Sequence, residues 1–453
     1  MVGAGPAVGG GDGDRGDALA QHRASQPGRG SEAPQRLHAA AGHDSVIPLT
    51  EAQQVVLDRC APLGTVTLPL VEALGCVTAG AVTAAEAVPA FDNTAMDGYA
   101  VRAADTASAP VTLEVVGTLA AGAAPERAVG ASEAVRIMTG APIPPGADAV
   151  IMVERTRALE GGGRVVAEAS VPAGNHVRRA GEDLQAGTVV FQPGEVLQPA
   201  HVGVLAGLGI HAVEVVRRPR VGVVSTGDEL VDGPEPLALG QVRDSNRYSL
   251  LSLVSEAGLE GVDLGLVRDD PEAIRAAIAR GVETCDAVLT SGGVSMGDYD
   301  CVKVVLDEMG EMSWMQVAIK PAKPFAFGLV GGTPVFGLPG NTVSSMVSFE
   351  LLARPALRQM MGHTQLHRPR VQATAAAPLR RRPDGKIHFA RVVWSYSGGR
   401  YEVRSAGGQG SHQLSALAAA NGLAVLADGH GAEPGDVVEL IRLHEFSRGG
   451  WHR

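Results

Sequence analysis

A chain of 453 residues is longer than one hydrophobic core supports, and at roughly 100 to 200 residues per domain it should divide into two to four. Apolar residues make up 45% and charged residues 19%, enough for well-formed cores, while the 4% aromatic share points to interiors of Val, Leu and Ala. The formal net charge of -11 excludes a general binder of nucleic acid or anionic membrane, whose affinity rests on basic patches, and favours a small or specific partner.

Cys60, Cys76, Cys285 and Cys301 form no CxxC pair, so neither a zinc site nor a disulfide framework is expected. No apolar run reaches the roughly 20 residues needed to cross a bilayer, and the N-terminus lacks a charged start followed by an apolar signal core; a cytoplasmic location is expected. Residues 1–44 are rich in Gly, Ala, Pro and Arg and read as a disordered leader.

The folded part opens with "LTEAQQVVLDRC", a helix for which Thr50 is the expected N-cap. Val-rich segments broken by Gly and Pro follow, "VTLEVVGTLAAG", "AVRIMTGAPIPPGADAVIMVE" and "GTVVFQPGEVLQP", and predict short strands in β-rich domains. At "RRPRVGVVSTGDELVDG" the character changes. The strands "RVGVVS", "GVDLGLV" and "DAVLTSGG" alternate with the helices "DSNRYSLLSLVSEAG", "DPEAIRAAIARGVE" and "CVKVVLDEMG". The strands "FAFGLV" and "TPVFGLP" and one long helix, "TVSSMVSFELLARPALRQMM", complete an α/β domain with a mostly parallel sheet covered on both faces. After about Arg368, closely spaced short strands predict a small β-barrel.

In such α/β sheets ligands settle outside the carboxyl ends of the strands, and polar loops fall at those ends: "STGDEL", "RDDP", "TSGGVSMGDYD" and "GLPGNTVSS". Glycine lets backbone approach a ligand, and helix N-termini with Gly, Ser and Thr suit phosphate. Asp269, Asp270, Asp298 and Asp300 would suit a hard cation such as Mg²⁺, and Lys320 and Lys323 in "AIKPAKPF" would hold negative charge. The chain has no GxxxxGK[ST] loop or HExxH helix. The residues describe a site for a phosphorylated small molecule with Mg²⁺, for cleavage or transfer at phosphorus. Structural alternatives stand beside this reading: Asp270 ahead of Pro271 is first a helix cap, Asp298 could cap the following helix, and the lysines could line a solvated edge.

The segments "NTAMDGYA" (Asn93 to Ala100), "RIMTGAPIPPGADAVI" (Arg136 to Ile151), "STGDEL" (Ser225 to Leu230), "SGGVSMGDYD" (Ser291 to Asp300), "IKPAKPFAFG" (Ile319 to Gly328) and "GLPGN" (Gly337 to Asn341) resemble, in collinear order, the molybdopterin molybdenumtransferases and the E domain of gephyrin. The resemblance runs from about Pro48 to about Arg442. It implies a homodimer whose chains carry a discontinuous linker domain (45–90 and 172–217), a β-rich inserted domain (91–171), an α/β molybdopterin-binding domain (218–367) and a C-terminal β-barrel (368–453). It implies a Mg²⁺-dependent insertion of molybdate into adenylylated molybdopterin with release of AMP, in a cleft between the α/β domain of one subunit and the insertion of the other.

By position, the resemblance assigns Asp97, Thr139, Glu229, Lys320 and Lys323 to catalysis, the first two supplied by the partner subunit. Asp269, Asp298 and Asp300 match the acidic cation positions. Ser225, Thr226, Gly227, Asp228, Ser291, Gly292, Gly293, Ser295, Pro339, Gly340 and Asn341 would cradle the pterin and its phosphate, and Ser411 falls near the cleft, with a helix-cap role as its structural alternative. The chain departs from the family pattern at Thr342, where many relatives have Pro, and at Gln316, where some carry a basic residue. The alternative function is a gephyrin-like dimeric scaffold that grips the cytoplasmic tail of a membrane receptor or a cell-division protein.

Overall fold

The structure is a computed structural model that describes residues 46–159, 161–294 and 301–444, all within the unit His43–Arg453. The expected leader, 1–44, and the positions Ser295, Asp298 and Asp300 lie outside the described residues. The architecture is multidomain, α/β and β.

The α/β domain is built on a seven-stranded sheet in the spatial order Val46–Ile47, Glu311–Val317, Pro324–Val330, Thr333–Leu338, Ala287–Ser291, Arg220–Thr226, Glu260–Val267. The last four are mutually parallel. Side-chain alternation sorts their apolar residues onto two cores. Val221, Val223, Leu289 and Phe336 pack with the helices Leu49–Leu57 and Asn246–Glu256, while Val224, Val288 and Val335 pack with Pro271–Thr284 and Cys301–Met309. Fully burying each such side chain is worth about 1.5–3 kcal/mol, and a one-residue slip would exchange the two sets. The register is therefore fixed, and with it the level at which all four strands end.

Four local features differ from expectation or refine it. Thr50 is not the N-cap of the first helix; Pro48 holds that position with extended backbone (φ -60°, ψ 150°), and Thr50 is the second helical residue. Proline there costs nothing, because its missing N–H has no helical partner to lose. The strand Glu311–Val317 was not anticipated, and Pro324–Val330 runs antiparallel to both its neighbours. The last long helix is interrupted by a π-helical turn at Phe349–Ala353, directly before Pro355. Proline lacks an N–H and crowds the carbonyl one turn earlier, which a widened turn relieves. Asp270 does cap its helix: its carboxylate accepts from the Ala273 amide at 3.1 Å, with Pro271 next.

The C-terminal strands close into a barrel in the order Ile387–Ser397, Arg400–Ser405, Arg370–Ala375, Val437–Arg442, Gly422–Leu426 and back to the first. The short strand Ile319–Lys320 pairs in parallel with Ile387 and His388, fastening the barrel to the α/β domain. Upstream, Asn93–Thr94 pairs with Val177–Arg178, so the chain leaves and returns through neighbouring strands. Between them lies a curled six-stranded half-barrel: Ala149–Met152, Gly98–Val101, Glu133–Ile137, Val111–Leu119, Arg164–Ala167, Thr156–Ala158.

Where the chain re-enters the α/β sheet, Arg217 makes a two-pronged pair with Asp286, one arm at 2.6 Å, and the same carboxylate accepts from the Arg220 amide at 2.8 Å. Burial pushes the Asp286 pKa up, but the Arg217 guanidinium and the Arg220 amide outweigh it and hold the carboxyl below the usual range. A depressed folded pKa gives stability that is fully present above the unfolded value of about 3.9 and is lost as pH falls through the folded one. Asp286→Asn should therefore cost on the order of 1 kcal/mol at pH 7, Arg217 being partly exposed, and the difference from wild type should shrink towards pH 2–3. Urea unfolding at both pH values measures this; a pH-independent difference would contradict the assignment.

Candidate active site

The four parallel strands deliver their loops to one rim. Ser225 lies within the wall of that rim: it is fully buried and its hydroxyl donates to Asp244 at 2.9 Å. After it, Gly227 (φ +151°) leaves room for the Glu229 carboxylate, which would stand 2.7 Å from any Cβ added there. Asp228 and Asp269 grip each other's loops. Each carboxylate accepts from the other residue's backbone amide at 3.3 Å, and Arg268 approaches Asp228 at 3.8 Å. The Asp269 carbonyl accepts from the Cys301 thiol at 3.5 Å, which sets it beside the start of the helix Cys301–Met309. Asp228, Glu229 and Asp269 are exposed, so the rim presents three acidic side chains to solvent.

Beside them the glycine loops meet. The Gly292 amide donates to the Leu338 carbonyl at 3.1 Å, and at φ +100° a side chain there would press on the Thr226 carbonyl at 2.9 Å. Gly293 follows at φ +72°. A β-carbon on Gly340 would lie 3.8 Å from the Gly292 backbone. Pro339 is buried, and Asn341 stands exposed at the N-cap of the helix Thr342–Ser348, its carbonyl accepting from the Ser345 amide at 2.9 Å. Ser291 is buried, with its hydroxyl accepting from Asn246 Nδ2 at 2.6 Å. Two of the expected ligand contacts, Ser225 and Ser291, thus have hydroxyls committed inside the protein.

Lys320 and Lys323 are both exposed and flank buried Pro321 and Ala322. Ala322 adopts φ +78°, a left-handed conformation unfavourable for alanine, and the Val317 amide donates to the Lys323 carbonyl at 2.7 Å, folding the segment back. Lys320 Nζ lies 3.9 Å from Asp384 of the barrel, a carboxylate that also bonds Arg381 at 2.8 Å and His388 at 3.0 Å. Ser411 does not cap the following helix, whose N-cap is Gln413. It sits on a loop held to the barrel by Arg391, whose guanidinium donates to the Gly408 and Gly410 carbonyls at 3.0 and 3.1 Å.

The remaining pair lies on the half-barrel. Antiparallel pairing of Gly98 with Ile137 brings the preceding Asp97 across from Thr139, and Asp97 Oδ1 accepts from both the Thr139 amide and its hydroxyl at 2.7 Å. Those two bonds hold the Asp97 pKa below the usual carboxylate range. Gly98 is obligatory, since a β-carbon would collide with the Ile151 carbonyl at 1.9 Å. Among the described residues, no hydrogen bond or ion pair joins Asp97 or Thr139 to the rim. The fold therefore assembles the expected residues into two groups.

Sequence reasoning missed two sets of residues. Asp244, Ser245 and Asn246 read only as the start of a helix, yet they bond three different rim loops. Arg391 is fully buried, and among the described residues no carboxylate bonds it; burial lowers its pKa. The available signal was its place two residues after Phe389, on the core-facing side of a strand. The departure at Thr342 also has a local consequence: its hydroxyl lies 2.9 Å from the Ser245 hydroxyl, a bond that proline could not make. A cavity of about 330 Å³ elsewhere, between helices of the α/β domain and the barrel, has mostly apolar walls that suit a polyanion poorly.

Comparison with known proteins agrees along the chain. Residues 47–209 match the MoeA N-terminal region (domain I and II), 222–359 a probable molybdopterin binding domain, and 372–443 the MoeA C-terminal region (domain IV). A molybdopterin molybdenumtransferase 2 of Mycobacterium tuberculosis is 41% identical over 404 residues, covering 86% of this chain and 96% of that protein. The molybdopterin molybdenumtransferase of Haemophilus influenzae is 39% identical over 388 residues, covering 85% and 96%. The crystal structure of the molybdopterin biosynthesis MoeA protein from Pyrococcus horikoshii superposes with a TM-score of 0.73 at 30% identity, covering 87% of this chain and 99% of that one. With matched segments in the same order and nearly the full length of each relative accounted for, the chain belongs to the MoeA family of molybdopterin molybdenumtransferases.

Proposed function

We propose that the protein inserts molybdate into adenylylated molybdopterin in a Mg²⁺-dependent reaction that releases AMP, and that it does so as a homodimer. The observation that carries this reading is the meeting of the Thr226–Gly227, Gly292–Gly293 and Gly340 backbones next to the exposed carboxylates of Asp228, Glu229 and Asp269. Glycine backbones admit phosphate oxygens closely, and the pterin and its phosphate would lie across them. Both substrates are anions and the chain carries a net charge of -11, so local positive charge has to be supplied. Lys320 and Lys323 supply it on the protein side.

The acidic rim is where a hard divalent ion would bind, and among the described residues no three of its carboxylates stand close enough to hold one without further ligands. Its donors are all carboxylate oxygens, exposed, with two of them already fixed through backbone amides, a set that a substrate phosphate would complete. Asp269 would hold Mg²⁺ together with Asp298 and Asp300, with Asp228 and Glu229 beside it as substrate or metal contacts. When bound, the ion offsets phosphate charge that would otherwise repel molybdate and an attacking oxygen. The chain's own groups orient the phosphoanhydride on the glycine loops, and the lysines hold the oxyanion against it.

Asp97 and Thr139 complete the site from a second copy of the chain. Among the described residues no hydrogen bond or ion pair ties them to the rim of their own chain, which supports this arrangement, as do the exposed apolar neighbours Phe91 and Met96. Held ionised by Thr139, Asp97 orients the attacking group.

Purified protein with Mg²⁺ and molybdate should release AMP from adenylylated molybdopterin. Asp97→Asn should lower that rate by about 10²-fold or more while light scattering still reports a dimer; no turnover by wild type would overturn the function. Co-expressing Asp97→Asn and Lys320→Ala chains should restore about a quarter of wild-type turnover, because a mixed dimer contains one intact cleft; no recovery would remove the shared site. Thr139→Val removes one donor to Asp97, so an NMR titration should show the Asp97 midpoint rise towards about 3.9, and an unmoved midpoint would contradict the bond.

A further inference from the structure

Asp244, Ser245 and Asn246 stand at the head of the helix Asn246–Glu256, and each bonds a different part of the rim. Asp244 Oδ1 accepts from the Ser225 hydroxyl at 2.9 Å and from the Arg247 amide at 3.2 Å. The Ser245 hydroxyl pairs with that of Thr342. Asn246 Nδ2 donates to Ser291 Oγ at 2.6 Å and to the Gly340 carbonyl at 2.7 Å, which uses both amide hydrogens on two separate loops. The tripeptide is anchored from below by Arg247. Its buried guanidinium binds Asp244 at 2.9 Å as well as Asp232 and Asp263.

We infer that Asn246 is a positioning residue that sets the spacing between the Ser291–Gly293 and Pro339–Asn341 loops, and thereby the fit of the pterin-phosphate end of the substrate. The chemistry of the amide makes this specific. Two acceptors face one nitrogen, and Gly340 offers a carbonyl that can never donate. An ionised aspartate of the same shape would set an acceptor oxygen against that carbonyl, so the loops would separate although the volume is conserved. Among the described residues no hydrogen bond joins Asn246 to Lys320 or Lys323, so the oxyanion end should be unaffected. The inference rests on the proposed substrate, but its first consequence is visible without substrate.

The test has two arms. In the first, hydrogen exchange on ligand-free Asn246→Asp should show about tenfold faster exchange at the Gly292 amide, which bonds Leu338 across the two loops, and at the Ser345 amide, which bonds Asn341 at the head of the helix that the second loop starts, with the half-barrel unchanged. In the second, the KM for adenylylated molybdopterin should rise about tenfold while the KM for molybdate stays constant. Global unfolding would lower the concentration of active enzyme and with it the apparent kcat while leaving both KM values in place, so a rise in one KM alone separates positioning from structural damage. Unchanged exchange at both amides, or an equal rise in the two KM values, overturns the inference. If Asn246→Asp fails to fold, Ser291→Ala takes its place. That variant removes one of the two acceptors and should raise only the pterin KM, by a smaller factor; no rise overturns the inference. Lack of turnover by wild type alongside accelerated exchange in the variant would instead refute the substrate assignment and leave the positioning intact.

Discussion

Everything at the rim depends on one constraint: polar groups forced to the ends of buried parallel strands need partners, and water reaches them poorly. Ser225 and Ser291 are at most 2% exposed, and a hydroxyl buried without a partner costs about 1–3 kcal/mol. The helix head at Asp244–Asn246 satisfies both, and in doing so binds three loops into one wall. Arg247 closes the arrangement. Burial alone would lower its pKa, yet the three aspartates around it hold the guanidinium firmly charged. A buried ion pair contributes little net stability but fixes geometry, and geometry is what a phosphate cradle requires.

Charge is divided along the same surface. Carboxylates gather where the first two parallel strands end, while Lys320 and Lys323 emerge from the strained turn at Ala322 on the barrel side. Between them lie backbone amides and glycines, which can approach an anion without bringing charge of their own. Asp384 keeps Lys320 partnered when no other anion is near. Arg391, on the barrel strand Ile387–Ser397, is buried, and among the described residues its guanidinium bonds only the Gly408 and Gly410 carbonyls.

Local chemistry was readable wherever the controlling interaction is local. Asp270 before Pro271 announced a cap, and the Gly-rich ends of the parallel strands announced loops that only glycine can make. The reading failed where a distant element decided the outcome. Glu311–Val317 lacks the continuous apolar run of its neighbours because it lies near the sheet edge, so its strand character comes from pairing with Pro324–Val330. Thr50 had the right side chain for a cap, but Pro48 already provided the extended entry.

By itself the sequence determined the alternation of strands and helices, the two-faced core and the family motifs, because side-chain period, turn chemistry and residue order are properties of the chain. Only the tertiary structure decided which motif residues stand exposed on the rim and which are spent inside the wall. Ser225 and Ser291 look like any other hydroxyl of a polar loop in the sequence; they are spent inside the wall because Asp244 and Asn246 arrive from elsewhere in the chain. The same holds for Asp97, whose pairing with Thr139 follows from strand register and whose separation from the rim follows from the insertion of a whole sheet. Hydrogen bonds between residues 20 to 100 positions apart leave no local trace in the residues that make them.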